Sequence, residues 1–403
     1  MKLKKLAAVI LAAVMVLAIA ITASAEEKTL KVGVACNATG WFADYDANNW
    51  EEIVIYADMI NEAGGIQVGE DTYKVELIQA DGQSDFASMP VACMDLIDKE
   101  VDVVIETNDF WMVDGNQMLK DAGILTLSGY PDFATGFWTD ADGNVNDCLL
   151  SCANGAANDM NALLEQCKEI YPDAHTLMFV CNSDGTEEIK YAYLKEIAEA
   201  QGYELLDQYE IYDSSAPDMT AVAQKVAEAD PDAYIGQGVI SCIAQLHAAL
   251  QDYDPECICL ASCGQSIDVF ATLVGDETKC NKVISTGIGF DEEKNTELMN
   301  TIVNKLLEKF DAQTAYSFAG NFVNCLYEYK CIVEEIGTID KDAIIEYWKN
   351  AETLKTLYTD AANLGGTESF GLDFDRMVVN PTPISTLDNG VGTFLGWYQY
   401  DVK

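Results

Sequence analysis

The chain contains few basic side chains and a single arginine. Of its 403 residues, 23 are Lys or Arg, and 67 Asp and Glu residues bring the net charge to −44. A nucleic-acid ligand requires a basic surface that neutralises its phosphates, so nucleic acid is excluded as a partner. The acid excess indicates a solvated, mutually repulsive surface, and only carboxylates in clefts bear on function.

The chain also lacks the motifs that mark common enzymes and metal sites. It has no CxxC pair, no G-x-S-x-G, no G-x-x-x-x-G-K and no paired-histidine motif. Its two histidines, His175 and His247, are far apart, and Gly236-Gln237-Gly238 is a lone G-x-G, too weak for a dinucleotide site. The sequence therefore predicts a protein that is not an enzyme and that holds no metal or cofactor.

The thirteen cysteines allow three interpretations. Cys181, Cys257 and Cys259 lie within apolar, strand-like runs, where a thiol acts as a small core residue. That interpretation is favoured. One or two disulfides are the alternative for an exported chain, and a metal site is the least favoured.

The first 25 residues have the pattern of a secretory signal peptide. A basic start (Met1 to Lys5) precedes an apolar run from Leu6 to Ile21, and Ala23-Ser24-Ala25 fits a cleavage site. We expect cleavage after Ala25 and an exported protein, periplasmic or extracellular; an uncleaved anchor is the alternative. No cysteine follows the apolar run before Cys36, so no lipid anchor is expected at the cleavage site.

Strands and helices alternate along the first part of the chain. In MINEAGG an apolar helical face ends at Gly64-Gly65, which supplies the positive-φ stop of many helices. The strands of this series are predicted at Leu30–Ala35, Tyr73–Gln79, Val101–Glu106 and Ile124–Leu127, with helices at Glu51–Ala63, Ala87–Lys99 and Trp111–Asp121.

A second series repeats this plan. Its strands are predicted at Thr176–Cys181, Glu204–Ile211, Asp232–Ile235 and Ile258–Ala261, with helices at 187–201, 218–229 and 241–251. Further helices (293–309, 315–336 and 340–350) follow a strand at Val283–Thr286, and a terminal stretch of strands is predicted at Gly371–Phe374 and Thr393–Tyr400. Alternating apolar strands and helices predict an α/β protein with two doubly wound, Rossmann-like lobes of parallel strands.

Several ordered segments carry a resemblance to a known family. They include LKVGVACNATGWFADY, YADMINEAGGI, YKVELIQADGQSD, VDVVIETND, LKDAGILTLSG and, near the end, ESFGLDFDR. With these segments residues 29–376 resemble the type I periplasmic binding proteins of the leucine/isoleucine/valine-binding group, the solute receptors of ABC importers. The resemblance implies a multi-crossing hinge between the lobes, a small-molecule solute, a permease as partner and a monomeric state. A sensor module for a signalling partner is the alternative.

The resemblance also divides the chain. It places the first lobe at residues 26–148 plus about 286–362, after the signal peptide at 1–25. The second lobe is placed at 149–285 plus about 363–403.

In open α/β sheets, ligands bind beyond the carboxyl ends of the strands. The resemblance implies that loops at these ends bind the solute. From the first lobe the candidate residues are Tyr45, Asn108, Asp109, Phe110, Trp111, Ser128, Tyr130 and Asp132. From the second lobe they are Asp184, Thr186, Gln237, Gly238 and Gln265.

Four of these candidates have a simpler structural role as alternative. Tyr45 would serve in core or rim packing, Asp109 and Thr186 as helix N-caps, and Asp132 as a turn residue. Acids at Asp109 and Asp132 depart from the hydroxyls that the family uses to hold an α-carboxylate. We therefore expect a small amine-bearing, amide or aromatic solute, with ordinary amino acids as the alternative.

Overall fold

The two series of strands and helices form two separate sheets. The computed structural model describes residues 27–108, 111–130, 146–183, 185–214, 218–364 and 377–399. Each sheet carries helices on its two faces, and we call the two units the first lobe and the second lobe in chain order. The predicted α/β class with two lobes built on parallel strands is confirmed.

Six strands build the first sheet. They are β1 (Glu27–Cys36), β2 (Ile66–Val68), β3 (Asp71–Asp81), β4 (Val103–Glu106), β5 (Leu125–Ser128) and β6 (Leu149–Ser151). Their order is β2-β3-β1-β4-β5-β6, with β2 antiparallel to β3 and every other pair parallel. Because parallel strands are covered on both faces, β4 and β5 are buried along their whole length.

Three helices follow strands of this sheet: α1 (Ala43–Glu62), α2 (Ser88–Asp98) and α3 (Val113–Asp121). Helix α1 packs through Ile53, Tyr56 and Ile60 on one face, and α2 and α3 cover the other through residues such as Leu96 and Leu119. The glycine stop after α1 is confirmed, because Gly64 and Gly65 adopt φ values of +115° and +104°.

The second lobe alternates in the same way. Its helices are α4 (Ala156–Ile170), α5 (Glu187–Gln201), α6 (Thr220–Ala229), α7 (Ile240–Leu250) and α8 (Ile267–Val274). Its first strands are β7 (Thr176–Asn182), β8 (Glu204–Tyr212), β9 (Ala233–Gln237), β10 (Ile258–Ser262) and β11 (Val283–Ser285).

The rest of the chain contributes to both lobes. Its elements are α9 (Glu297–Leu307), α10 (Ala312–Tyr316), α11 (Asn321–Ile336), α12 (Lys341–Asn350), β12 (Thr353–Leu354), β13 (Ala362–Leu364), β14 (Val378–Val379), β15 (Thr382–Asp388) and β16 (Val391–Tyr398). Helices α9, α11 and α12 join the core of the first lobe. Strands β15 and β16 extend the second sheet, whose order is β16-β15-β11-β10-β9-β7-β8.

The structure differs from the predicted elements at several places. Helix α1 begins at Ala43 rather than Glu51, because tertiary bonds hold its polar first turns. Helices α4 and α8 and strand β6 were not predicted; α4 buries polar residues such as Asn158 and Asp159, which obscures its apolar face. The predicted strand within 371–374 lies outside the described residues, and the lobe boundaries remain a prediction.

The thirteen cysteines all lie in the described ranges. None forms a disulfide; eleven are buried, and Cys263 and Cys331 are partly exposed. Within these ranges no group of His, Cys, Asp and Glu side chains is arranged to hold a metal ion. None of the helices found there is both long and apolar enough to cross a membrane.

Candidate functional site

The first lobe presents Tyr45 at the carboxyl end of its sheet. The phenolic oxygen accepts a hydrogen bond of 2.5 Å from the side-chain amide of Asn321, at the start of α11. The ring packs against Phe42, with 5.1 Å between ring centroids. Burial raises the pKa of the phenol, and the nearby acids Asp46, Glu52 and Asp159 raise it further. The phenol is therefore neutral and hydrogen-bonded.

Asp46 connects three elements beneath this tyrosine. Its carboxylate accepts hydrogen bonds from the backbone amide of Asn37 at 2.6 Å and from the hydroxyl of Thr107 at 2.5 Å. These bonds tie α1 to the ends of β1 and β4. Burial raises the pKa of Asp46 to about 7, although both bonds favour the charged form.

An aromatic group lies beside Tyr45. Trp111 is almost fully buried, and its ring lies 5.4 Å from Trp41, 6.0 Å from Phe42 and 4.9 Å from Phe86 between centroids. Trp41 and Phe86 are 58% and 51% exposed, so the group extends from the core to the surface. Such rings offer flat apolar faces to a ligand or a cation.

The second lobe carries a row of polar residues at the carboxyl ends of three adjacent strands. Gln237 ends β9 and lies opposite Ser262, the last residue of β10. Ala261 pairs with Ser285 of β11, which places Thr286 beside Ser262. Within the described part of the chain, the Gln237 Oε1, Ser262 Oγ and Thr286 Oγ1 atoms are buried without a hydrogen-bond partner.

Asp159 lies on the helix that covers this row. It belongs to the first turn of α4 and is 7% exposed. Burial raises its pKa to about 8, and the neighbouring Thr286 hydroxyl opposes that rise. Burial raises the pKa of Cys263 to about 11, and the Asp159 carboxylate contributes to this increase. The same carboxylate also raises the pKa of Tyr45, which belongs to the first lobe. Asp159 therefore lies where the two lobes face each other.

Gly238 shapes the backbone next to the polar row. Its φ is +116°, and an added Cβ would stand 2.4 Å from Asn182 Oδ1 and 2.6 Å from the Tyr212 hydroxyl. That hydroxyl donates to the Gln237 carbonyl at 3.0 Å and accepts from the Val239 amide at 3.0 Å. The loop is thus held by side chains that leave no room for any residue but glycine.

A network of asparagines ties together the segments that run between the lobes. Asn154 exchanges two hydrogen bonds with the backbone of Asn380, at 2.8 and 2.6 Å. The side chains of Asn380 and Asn324 donate to the carbonyl of Cys152, at 3.0 and 2.5 Å. Asn324 also accepts from the Leu357 amide at 2.7 Å. These bonds hold the segments around Cys152, Leu357 and Asn380 in one arrangement.

The other predicted residues fall in several classes. Asp109, Phe110, Asp132 and Asp184 lie outside the described residues. Asn108 and Thr186 are buried, Tyr130 is half-buried, and Ser128 ends β5 with its hydroxyl buried and without a partner among the described residues. Thr186 stands at the N-cap of α5, where its side chain makes no capping hydrogen bond.

Gln265 is half-buried, and its backbone packs against Gly287, where an added Cβ would stand 1.7 Å from the Gln265 carbonyl oxygen.

Four residues at the facing edges were not among the residues predicted from the sequence. They are Asp46, Asp159, Thr286 and Asn321. No local motif marks them, since each contributes through contacts with elements distant in sequence. Asp159 is the exception, because an acid within a helix of mostly buried residues is a sequence signal of a possible functional role.

A surface cavity lies elsewhere on the first lobe. Its volume is about 420 Å³, and its lining includes Trp50, Glu51, Gln79 and Phe310. None of the polar atoms without a partner lines it. The facing edges of the two lobes, rather than this cavity, therefore carry the candidate site.

The architecture defines a class of protein: two-lobed α/β proteins with a doubly wound sheet in each lobe. The sequence profile of the family described as periplasmic binding protein matches residues 29–390. The chain belongs to this family, and the resemblance to its type I, leucine/isoleucine/valine-binding group is confirmed. The family consists of extracytoplasmic solute-binding proteins.

Solved structures of low sequence identity share the fold. The leucine-binding protein LivK from Thermotoga maritima is 14% identical with a TM-score of 0.72, over 92% of this chain and 99% of that one. LivJ from Streptococcus pneumoniae, in complex with isoleucine, is 14% identical with a TM-score of 0.69, over 93% and 99%. A solute-binding protein from Rhodopseudomonas palustris, in complex with benzoate, is 12% identical with a TM-score of 0.69, over 92% and 96%. No curated protein matches the chain.

Proposed function

We propose that this chain is an extracytoplasmic solute-binding protein of an ABC importer. It binds an amino acid or a related small amine, amide or aromatic solute between its lobes and delivers it to a transmembrane permease. Cleavage after Ala25, a monomeric state and the predicted lobe boundaries belong to the same proposal.

The observation that carries the proposal is the set of buried polar atoms at the facing sheet edges. The Ser128 hydroxyl in the first lobe and the Gln237, Ser262 and Thr286 side-chain oxygens in the second have no hydrogen-bond partner among the described residues. A buried polar group without a partner costs about 1–3 kcal/mol. A polar ligand at the carboxyl ends of the strands would satisfy these groups, at the position where open α/β sheets bind ligands.

The kind of ligand is supported by two further observations. Aromatic rings at Phe42, Tyr45 and Trp111 provide apolar surface beside the polar groups. Proteins of the same fold are named or were solved as binders of leucine, isoleucine and benzoate, which are small solutes with an apolar body and a charged group. Two lobes joined by several crossing segments can close over such a solute.

The experiment is a thermal-shift screen of residues 26–403, followed by calorimetry, against amino acids, amines, amides, nucleosides and aromatic acids. A ligand that binds only the folded state raises the unfolding midpoint by mass action. Thr286→Val removes one buried hydroxyl without changing side-chain shape, and it should weaken binding of the best ligand about tenfold. Thr272→Val, on the exposed side of α8, is the matched control and should leave the affinity unchanged. Failure of every solute class to shift the midpoint would contradict the proposal.

A further inference from the structure

The Asp159 carboxyl group is buried in the second lobe, and no counter-charge contacts it among the described residues. It is 7% exposed, and burial together with the Thr286 hydroxyl accounts for its altered pKa. No lysine or arginine among the described residues contributes to that pKa. Lys190 on the neighbouring helix α5 is also buried, but it has interactions of its own. An acid is rarely buried in a core without a basic partner, because leaving it charged there is costly.

The groups next to this carboxyl carry oxygen atoms that can accept hydrogen bonds, one amide oxygen and two hydroxyls that can also donate. The row formed by Gln237, Ser262 and Thr286 lies on the sheet face that α4 covers, as the core contacts of Ile235, Leu260 and Ile284 with that helix indicate. Each residue of the row has a side-chain oxygen without a partner in the described chain. An ammonium group has three donors and no acceptor, so it matches a carboxylate surrounded by such oxygens.

The opposite side of the cleft is apolar and aromatic. Asp159 raises the pKa of the Tyr45 phenol, so this first-lobe ring lies within range of the carboxyl charge. Tyr45 packs on Phe42, and Phe42 on Trp111. A ligand held at Asp159 by a cationic end would therefore extend its body towards aromatic rings.

We propose that Asp159, with the hydroxyls of Ser262 and Thr286, binds the protonated amine of a small ligand whose body is apolar or aromatic. This inference rests on the proposed function and narrows its ligand class to amines. Asp159 is the residue that selects amines over neutral and anionic analogues of the same shape. The ammonium group of the ligand would supply the counter-charge of Asp159, which explains why the folded protein retains a buried acid at this position.

Amine binding at this site is coupled to the release of a proton. Burial raises the pKa of Asp159 to about 8, so before a ligand binds this carboxyl group is largely protonated at neutral pH. Tyr45 and Cys263 face the carboxyl group, but burial raises the pKa of Cys263 to about 11 and that of Tyr45 higher still, so both stay neutral. Affinity for an amine should therefore increase with pH up to about 8, by as much as about tenfold per pH unit, and then level off.

The test is calorimetry of residues 26–403 with benzylamine, benzamide and benzoate, which share a ring and differ in charge, and with isopentylamine and leucine. The wild-type protein should bind the amines at least tenfold more tightly than benzamide and benzoate and release protons at pH 7. Asp159→Asn should abolish this preference and the proton release. Asp207→Asn, an exposed acid on β8, is the matched control and should behave as wild type.

Each other outcome has a distinct meaning. Thermal unfolding of Asp159→Asn should occur at the wild-type midpoint or above it, which separates lost binding from lost folding. If a solute such as leucine or benzoate binds but Asp159→Asn leaves every affinity unchanged, the inference is wrong and the proposed function stands. An affinity for benzylamine that decreases as the pH increases also overturns the inference. If neither these compounds nor the wider solute panel bind, both proposals fail.

Discussion

The side-chain amide of Asn321 donates a hydrogen bond of 2.5 Å to the phenolic oxygen of Tyr45, across 276 positions of the chain. The bond joins the first turn of α1 to the first turn of α11, and so connects the cleft surface to the helices that the chain adds last. Tyr45 is thus positioned by tertiary structure, since neither residue lies in a motif that predicts the other.

Removing this hydrogen bond by substituting either Tyr45 or Asn321 should lower the free energy of unfolding by a similar, small amount. Tyr45→Phe keeps the ring contact with Phe42, and Asn321→Ala removes the donor; each should lower the free energy of unfolding by about 0.5–1.5 kcal/mol. The double variant should cost less than the sum of the two, because both remove one interaction. Urea unfolding of the four proteins measures this, and strictly additive effects would show that the bond contributes nothing.

Gly238→Ala should destabilise the second lobe and prevent ligand binding. The new Cβ would meet Asn182 Oδ1 at 2.4 Å and the Tyr212 hydroxyl at 2.6 Å, in a backbone with φ of +116°. Gly202→Ala is the control, because Gly202 also has a positive φ of +84° but no atom within 4 Å of its Cβ position. We expect a loss above about 2 kcal/mol for Gly238→Ala and about 1 kcal/mol for Gly202→Ala by chemical unfolding. Equal losses would mean that backbone strain alone acts at Gly238.

The asparagine network between the lobes should contribute strongly to stability. Asn154→Ala leaves the buried amide and carbonyl of Asn380 without the partners they have at 2.6 and 2.8 Å. The expected loss is about 2–4 kcal/mol, since two hydrogen bonds break and buried groups are left unsatisfied. Asn350→Ala, whose exposed side chain bonds only within its own helix turn, should change the unfolding midpoint in urea by far less.

The protein should become less stable as the pH increases from 6 to 9. Burial raises the pKa of Asp46 to about 7 and that of Glu52 to about 8, far above those of ordinary carboxyl groups. The folded chain therefore binds more protons than the unfolded chain. The stability that these two carboxyl groups contribute is fully present below about pH 4 and is lost as the pH increases through 7 to 8.

Thermal unfolding at several pH values tests this prediction, with Asp46→Asn as the variant. Asp46→Asn should reduce the slope of the midpoint against pH, whereas the exposed Asp207→Asn should leave it unchanged. Equal slopes in all three proteins would attribute the pH dependence to the net charge of −44 rather than to buried acids.

The cysteines should react as free, protected thiols. Eleven are buried, and Cys263 and Cys331 are partly exposed. Burial raises the pKa of both, to about 11 for Cys263, so even these two should react slowly with a disulfide reagent in the native protein. Denaturation without a reductant should release thirteen reactive thiols, and a smaller number would reveal disulfides.

The periodic parts of the fold were predictable. Helix α5 spans the predicted residues 187–201, and β4, β5 and β10 fall within two residues of their predicted ends, because buried parallel strands have continuous apolar runs. The first turns of α1 and most of α4 were not predictable, because polar residues there are satisfied or buried by distant elements.

The same division holds for the candidate site. The positions of Ser128, Gln237 and Gly238 at strand ends or loop starts followed from the α/β alternation and the family resemblance, whereas Tyr45 lies in the first turn of α1. The partner of Tyr45, the link from Asp46 to Thr107, and the burial of Asp159 over the polar row required the structure.

By itself the sequence determined the two-lobed α/β class and the family, because these depend on local periodicity and segment order. The tertiary structure alone decided which carboxylates matter. Most of the 67 acids are solvated, and a few become buried only when helices and strands from distant parts of the chain pack around them. Burial changes the pKa of an acid through desolvation, and desolvation depends on neighbours that the order of residues does not reveal.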